Sequence, residues 1–152
     1  MELAAASPVI EFRDVAYRVG GTQVLSGFNL QVTKGETLVL LGRSGSGKTT
    51  SLKLVNRLLS PTSGEIRVKG VSNAESDVIR LRRGMGYVIQ DVGLFPHFSV
   101  ERNIGLVPKI EGWSEDRVRA RVQELLQMVG LPADIASRYP HQLSGGQRQR
   151  VG

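Results

Sequence analysis

The chain contains no cysteine, which excludes a disulfide framework and a thiolate metal site. Aromatic residues make up only 5% of it, and none is interleaved in a basic cluster as a base-stacking surface requires. Its two histidines, His97 and His141, lie far apart without cysteine partners, so a zinc site is not expected. Apolar runs extend for only a few residues, far short of a membrane span. The opening MELAAASPV carries an acidic residue where a secretory leader carries basic ones, and a cytoplasmic protein is expected. What is present is an ordinary globular composition, 40% apolar and 22% charged, in 152 residues. The net charge of +6 comes from scattered Lys and Arg. It reads as a basic surface with a nucleotide site rather than as a nucleic-acid groove, and it would suit anionic lipid or an acidic partner.

Val9 to Val19 alternates apolar and polar residues as a half-buried strand does, and Gly20-Gly21 marks a turn before an extended pattern up to Val32. Thr37 to Leu41 is a continuous apolar run, the mark of a strand covered on both faces, and Met85 to Gln90 reads the same way. From Lys48 the period changes to that of a helix, with Leu52, Val55 and Leu59 on one face and Leu54 and Leu58 widening it. Pro61 and Gly64 end that helix, and EIRVKG follows as a short strand. Pro96 and Pro108 bound a short helix starting near Ser99. The segment WSEDRVRARVQELLQMVGL is the clearest helix, with Ser114 placed as N-cap and Glu115 and Asp116 in the positive first turn. Its buried stripe is Val118, Val122, Leu125, Leu126 and Val129, and Gly130 suits its stop. Strands followed by helices indicate an α/β core with a mostly helical insertion after Gln90.

Gly42 to Thr49 fits G-x-x-x-x-G-K-[ST], between an expected strand and an expected helix. Gly42, Gly45 and Gly47 let the backbone wrap closely round an anion, with Arg43, Ser44 and Ser46 adding N–H groups to the wall. Lys48 supplies a point charge for the outer phosphates, the Thr49 hydroxyl is placed for Mg2+, and Thr50 continues the helix start. A dinucleotide fingerprint fails, because glycine would be needed at position 50, which is Thr50. The pattern therefore predicts a site for a mononucleotide triphosphate. A second glycine pair occurs in LSGGQ, where Ser144, Gly145, Gly146 and Gln147 precede a helix start. By itself that stretch is a helix N-cap.

In this order, a phosphate loop, a strand ending in Gln90 and LSGGQ, the chain resembles the ATP-binding subunits of ABC transporters over essentially its whole length. Gly42–Thr50 is similar to the family's Walker A loop, Gln90 to its Q-loop glutamine and Leu143–Gln147 to its signature motif. The resemblance implies a P-loop nucleotide hydrolase of α/β class, with an N-terminal antiparallel β portion and a helical insertion. Its divisions would be a nucleotide-binding core over 1–90, a helical subdomain over 91–142, and the signature with the start of its helix over 143–152. It implies ATP and Mg2+ as cofactors, with Lys48 and Gln90 catalytic and Thr49 and Gln90 near the metal.

The family also implies two copies facing head to tail, so that Ser144 and Gly146 of one meet the γ-phosphate held by Lys48 of the other. Permease subunits would dock on the insertion, an extracytoplasmic solute-binding protein would act indirectly, and no nucleic acid would bind. The place of action would be the cytoplasmic face of the membrane. The stretch MGYVIQDVGLFPHFSVERNIGLVPK looks most like importers of glycine betaine, choline or carnitine. Other readings are a soluble ABC ATPase acting on nucleic acid or ribosomes, and a non-catalytic nucleotide-binding fragment.

Two departures from the pattern stand out. The adenine-stacking aromatic is expected at position 19, which is Val19, while Tyr17 lies two residues earlier. Tyr17 either stacks on adenine or packs in the core. The Walker B strand, catalytic glutamate and switch histidine have no counterpart before Gly152, so the 152-residue chain by itself is expected to turn ATP over very slowly or not at all.

Overall fold

The structure is a computed structural model that describes residues 7–89 and 92–152. The chain divides into two compact units, Met1–Gly86 and Tyr87–Gly152.

The first unit is built on a four-stranded antiparallel sheet in the order β2-β1-β3-β4. Its strands are β1 (Ile10–Val19), β2 (Thr22–Val32), β3 (Ser63–Val68) and β4 (Val71–Ser72). Gly20 and Gly21, both with positive φ, close the β1–β2 hairpin as the sequence predicts. The alternation in β1 is broken once. Phe12 and Val15 are three residues apart, yet both are buried in the same core. The extra residue is accommodated where Asp14 takes φ 47° and the β1–β2 register shifts. Asn29 on β2 holds this bulge from the side, its Oδ1 accepting from Asp14 N–H and its Nδ2 donating to Asp14 Oδ1.

Against the sheet packs helix α1 (Lys48–Val55), which contributes Leu54 and Val55 to a core with Phe12, Val15, Leu25 and Ile66. Phe12 and Phe28 meet edge to face at 5.1 Å. The expected apolar face of this helix needs correction. Leu52 points to solvent, and Leu58 lies beyond the helix and is exposed, because α1 stops at Val55 and Arg57 adopts φ 54°. A second helix, α2 (Val78–Arg83), was not foreseen. Asp77 caps it by accepting Arg80 N–H, and it buries none of its residues, so no apolar stripe announces it.

The runs 37–41 and 85–89 are not strands in the structure, contrary to expectation. Val39 is 68% and Leu41 89% exposed, and Val88 is 78% exposed. An apolar run supplies the side chains of a doubly covered strand but not its neighbours, and among the described residues no strand pairs with either run.

The second unit is helical: α3 (Val100–Ile104), α4 (Leu106–Ile110), α5 (Glu115–Met128) and α6 (Gly145–Val151), with short 3-10 turns at Ala133–Ser137 and Pro140–Gln142. Ser99 caps α3 through Arg102 N–H, as its position predicts. Pro108 does not stop the chain's helical course. It occupies the third position of α4, where its missing N–H would have had no intrahelical acceptor. Asn103 ties the preceding loop to α3, donating to the Phe95, Phe98 and Ser99 carbonyls and accepting Phe95 N–H. Val118, Val122 and Leu126 of α5 are buried with Val100, Leu131, Ile135 and Leu143, while Leu125 and Val129 are half-buried. Ser114 is at the N-cap position, but its hydroxyl makes no capping bond. Gly130, at φ 65°, ends the helix in the left-handed turn that glycine adopts without strain.

Candidate functional site

The loop from Gly42 to Gly47 leads into α1 through two left-handed residues, Gly45 at φ 82° and Gly47 at φ 89°. At two glycines here an added Cβ would press on a neighbouring side chain. A Cβ at Gly47 would lie 2.8 Å from Leu25 Cδ2, and one at Gly42 would lie 2.6 Å from Ser46 Oγ. No side chain caps the start of α1, so its first N–H groups are left for an outside acceptor, and the positive end of the helix faces the loop. Lys48 crosses the loop, its Nζ donating to the Gly42 and Arg43 carbonyls at 2.8 Å each and to Ser46 Oγ at 3.3 Å. Thr49 is exposed in the first turn, beside the same opening. Ser51 closes the turn from within, its hydroxyl donating to the Gly47 carbonyl at 3.1 Å.

The opposite end of α1 is held by side chains. Asn73, 2% exposed, donates its amide to the Leu54 and Val55 carbonyls. Arg82 donates to the Asn56 carbonyl through Nε at 3.0 Å and to the Arg57 carbonyl through Nη2 at 2.7 Å. Neither residue was singled out from the sequence. A polar turn such as GVSNAES carries no periodicity that would reveal a buried amide.

In the helical unit, Ser144 and Gln147 form a reciprocal capping box. Ser144 Oγ accepts Gln147 N–H at 3.2 Å, and Gln147 Oε1 accepts Ser144 N–H at 2.9 Å. The N-cap reading of LSGGQ is thus realised, and it leaves the Ser144 O–H proton and the Gly145 and Gly146 N–H groups available to an anion. Arg150 pins α6 to the end of α5, donating to the Val129 and Gly130 carbonyls.

Tyr17 is half-buried, paired with Leu25 across β1 and β2, and its side chain packs against the sheet's core cluster. Val19 is exposed at the hairpin end. Gln90 lies outside the described residues. Among the described residues no group of three or more His, Asp or Glu side chains could hold a metal ion, and no helix is long and apolar enough to cross a membrane.

A glycine cradle opening on an uncapped helix start, with a lysine across its mouth, defines a P-loop nucleotide-binding protein. Residues 25–152 match the ABC transporter family, and the chain belongs to it. It is 49% identical over 144 residues to the glycine betaine uptake system ATP-binding protein YehX of Escherichia coli (strain K12), covering 95% of this chain and 47% of that protein. It is 47% identical over 133 residues to the glycine betaine/carnitine/choline transport ATP-binding protein OpuCA of Bacillus subtilis (strain 168), covering 88% of this chain and 35% of that one. The chain thus spans half or less of the length of these curated relatives. Among solved structures it resembles the dimeric ATP-binding cassette MJ0796 in a post-hydrolysis state bound to ADP and Pi. The TM-score is 0.82 at 32% identity, over 93% of this chain and 66% of that one. The fold is that of an ABC ATPase cassette, with its antiparallel β portion at the N-terminus.

Proposed function

We propose that this chain is the nucleotide-binding part of an ATP-driven motor subunit, which couples ATP binding and hydrolysis to import of a quaternary-amine osmoprotectant. The observation that carries the reading is the glycine loop, where two left-handed glycines lead into an uncapped helix start and the ammonium of Lys48 lies against the loop carbonyls of Gly42 and Arg43. Lys48 now satisfies its protons on loop carbonyls 2.8 Å away. A triphosphate entering the loop exchanges those neutral acceptors for charged oxygens, which bind an ammonium more strongly. Gly42, Arg43, Ser44, Gly45, Ser46, Gly47 and Thr50 form the wall and floor of the site. Mg2+, when bound with the nucleotide, neutralises phosphate charge. The Thr49 hydroxyl would hold it, and Gln90, similar to the family's Q-loop glutamine, would act with it.

Ser144, Gly145, Gly146 and Gln147 are assigned to the γ-phosphate of a second copy in a head-to-tail dimer, through the Ser144 hydroxyl and the backbone N–H groups. Residues 91–142 serve as a helical subdomain for docking on permease subunits at the cytoplasmic face of the membrane, with a solute-binding protein acting through the permease. Glycine betaine uptake and carnitine or choline transport are named for the similar proteins YehX and OpuCA, which supports that class of cargo. Tyr17 is assigned to the adenine ring through whatever part of its face the core leaves free.

Titration calorimetry with Mg-ATP on the intact protein tests the central claim. Lys48→Ala is expected to weaken binding roughly 10- to 100-fold, the worth of about 1.5–3 kcal/mol of charge-assisted hydrogen bonding. Equal affinities for the two proteins would refute the assignment. Uptake of radiolabelled glycine betaine by cells that carry or lack the subunit tests the cargo.

A further inference from the structure

We propose that Asn73 and Arg82 are positioning residues for the phosphate loop, a role that rests on reading Gly42–Thr50 as the triphosphate site. Helix α1 is only eight residues long, about 12 Å at the standard rise. Its two ends are treated differently. At the loop end no side chain caps it, and the approach runs through Gly45 and Gly47, the residue type with the least intrinsic stiffness. At the far end the amide of Asn73 holds the carbonyls of Leu54 and Val55, the last two residues of the helix, and the guanidinium of Arg82 holds those of Asn56 and Arg57 in the turn that follows.

The grip is anchored outside the helix. Asn73 N–H donates to the Ile66 carbonyl of β3 at 2.8 Å, so the buried amide bridges sheet and helix. Arg82 lies in the last turn of α2. Arg57, just past α1, returns a bond from its Nη1 to the Ser76 carbonyl at 2.8 Å, which makes the tie reciprocal. Arg82 also brings a cation to the negative end of α1, where the helix dipole favours it. The axial position of α1, and so the placing of the N–H groups that receive phosphate, is set from the end remote from the nucleotide. N–H groups carried out of place make longer, weaker hydrogen bonds to phosphate oxygens, so loosening the far end is read out as weaker binding at the near one.

The test uses the intact protein, with Mg-ATP as the probe. Arg82 is exposed, so Arg82→Ala spares the core. It is expected to raise the Kd and KM for Mg-ATP roughly 5- to 30-fold while kcat stays within about twofold. Arg82→Lys, which keeps the charge but not the two-pronged geometry, should recover part of the loss. Asn73→Ala should act in the same direction, and combining it with Arg82→Ala should add less than the sum, since both hold one helix end. A purely structural role would lower kcat and the melting midpoint by reducing the folded fraction, with KM and Kd unchanged. That result for the Arg82 variants would overturn the proposal. Failure of the unsubstituted protein to bind Mg-ATP would instead overturn the phosphate-site reading, and this proposal with it.

Discussion

At the scale of single residues, glycines with the same backbone conformation have different costs of replacement. Gly64 and Gly70 both have φ near +80°, which any L side chain adopts with strain. At Gly70 a Cβ would meet open space, whereas at Gly64 it would fall on the Arg13 and Asp14 carbonyls, beneath the bulge in β1. Gly70→Ala should therefore cost about 1 kcal/mol. Gly64→Ala should cost upward of about 3 kcal/mol, because backbone must shift as well. Urea unfolding of the two variants checks the order, and equal midpoints would contradict the close approach at Gly64. The sequence shows both glycines equally. It does not show that the bulge at Asp14 brings two carbonyls against one of them, since that depends on a strand fifty residues away.

At the scale of elements, β1 and β3 carry a small lattice of alternating charge. Glu11 faces Arg67 and Arg13 faces Glu65 across the ladder, with ion pairs of 2.8 Å from Arg13 to Glu11 and 2.9 Å from Arg67 to Glu65. The hydrogen bond from Arg13, with one from Gln31, holds the Glu11 carboxyl below its usual pKa of 4.5. Arg67 does the same for Glu65. Carboxylates whose pKa falls on folding stabilise the folded state above the unfolded value. That contribution is complete above about pH 4.5 and is lost as pH drops through the lower folded values. Thermal midpoints measured downward from pH 5 should decline, and Glu11→Gln with Glu65→Gln should flatten the decline. The pairs are partly solvated, so salt should weaken the effect. A pH profile identical in the double variant would remove these groups as its source. The charge alternation is legible in EFR and EIR of the sequence, but the pairing of those two stretches is not.

At the scale of the whole molecule, the exposed apolar runs at 37–41 and 85–89 have a consequence for the chain expressed by itself. Contiguous apolar side chains with no strand partner among the described residues favour association. Light scattering should show self-association rising with concentration, and Leu41→Lys with Val88→Lys should reduce it. A chain that stays monomeric at high concentration and ignores hydrophobic dyes would argue against this exposure.

The same runs separate what local chemistry decides from what it does not. The hairpin at Gly20-Gly21, the glycine turns at Gly45 and Gly47 leading into α1, the α5 stripe and the N-cap at Ser144 depend on residues close together in the chain, where conformational preference and hydrogen-bonding reach suffice. They were determined by the sequence alone. Whether Val39 and Val88 are covered, why Phe12 and Val15 share a face, and which donors hold the end of α1 depend on partners distant in the chain. Only tertiary structure decided these, because an apolar side chain or an open carbonyl states a need for a partner without naming it.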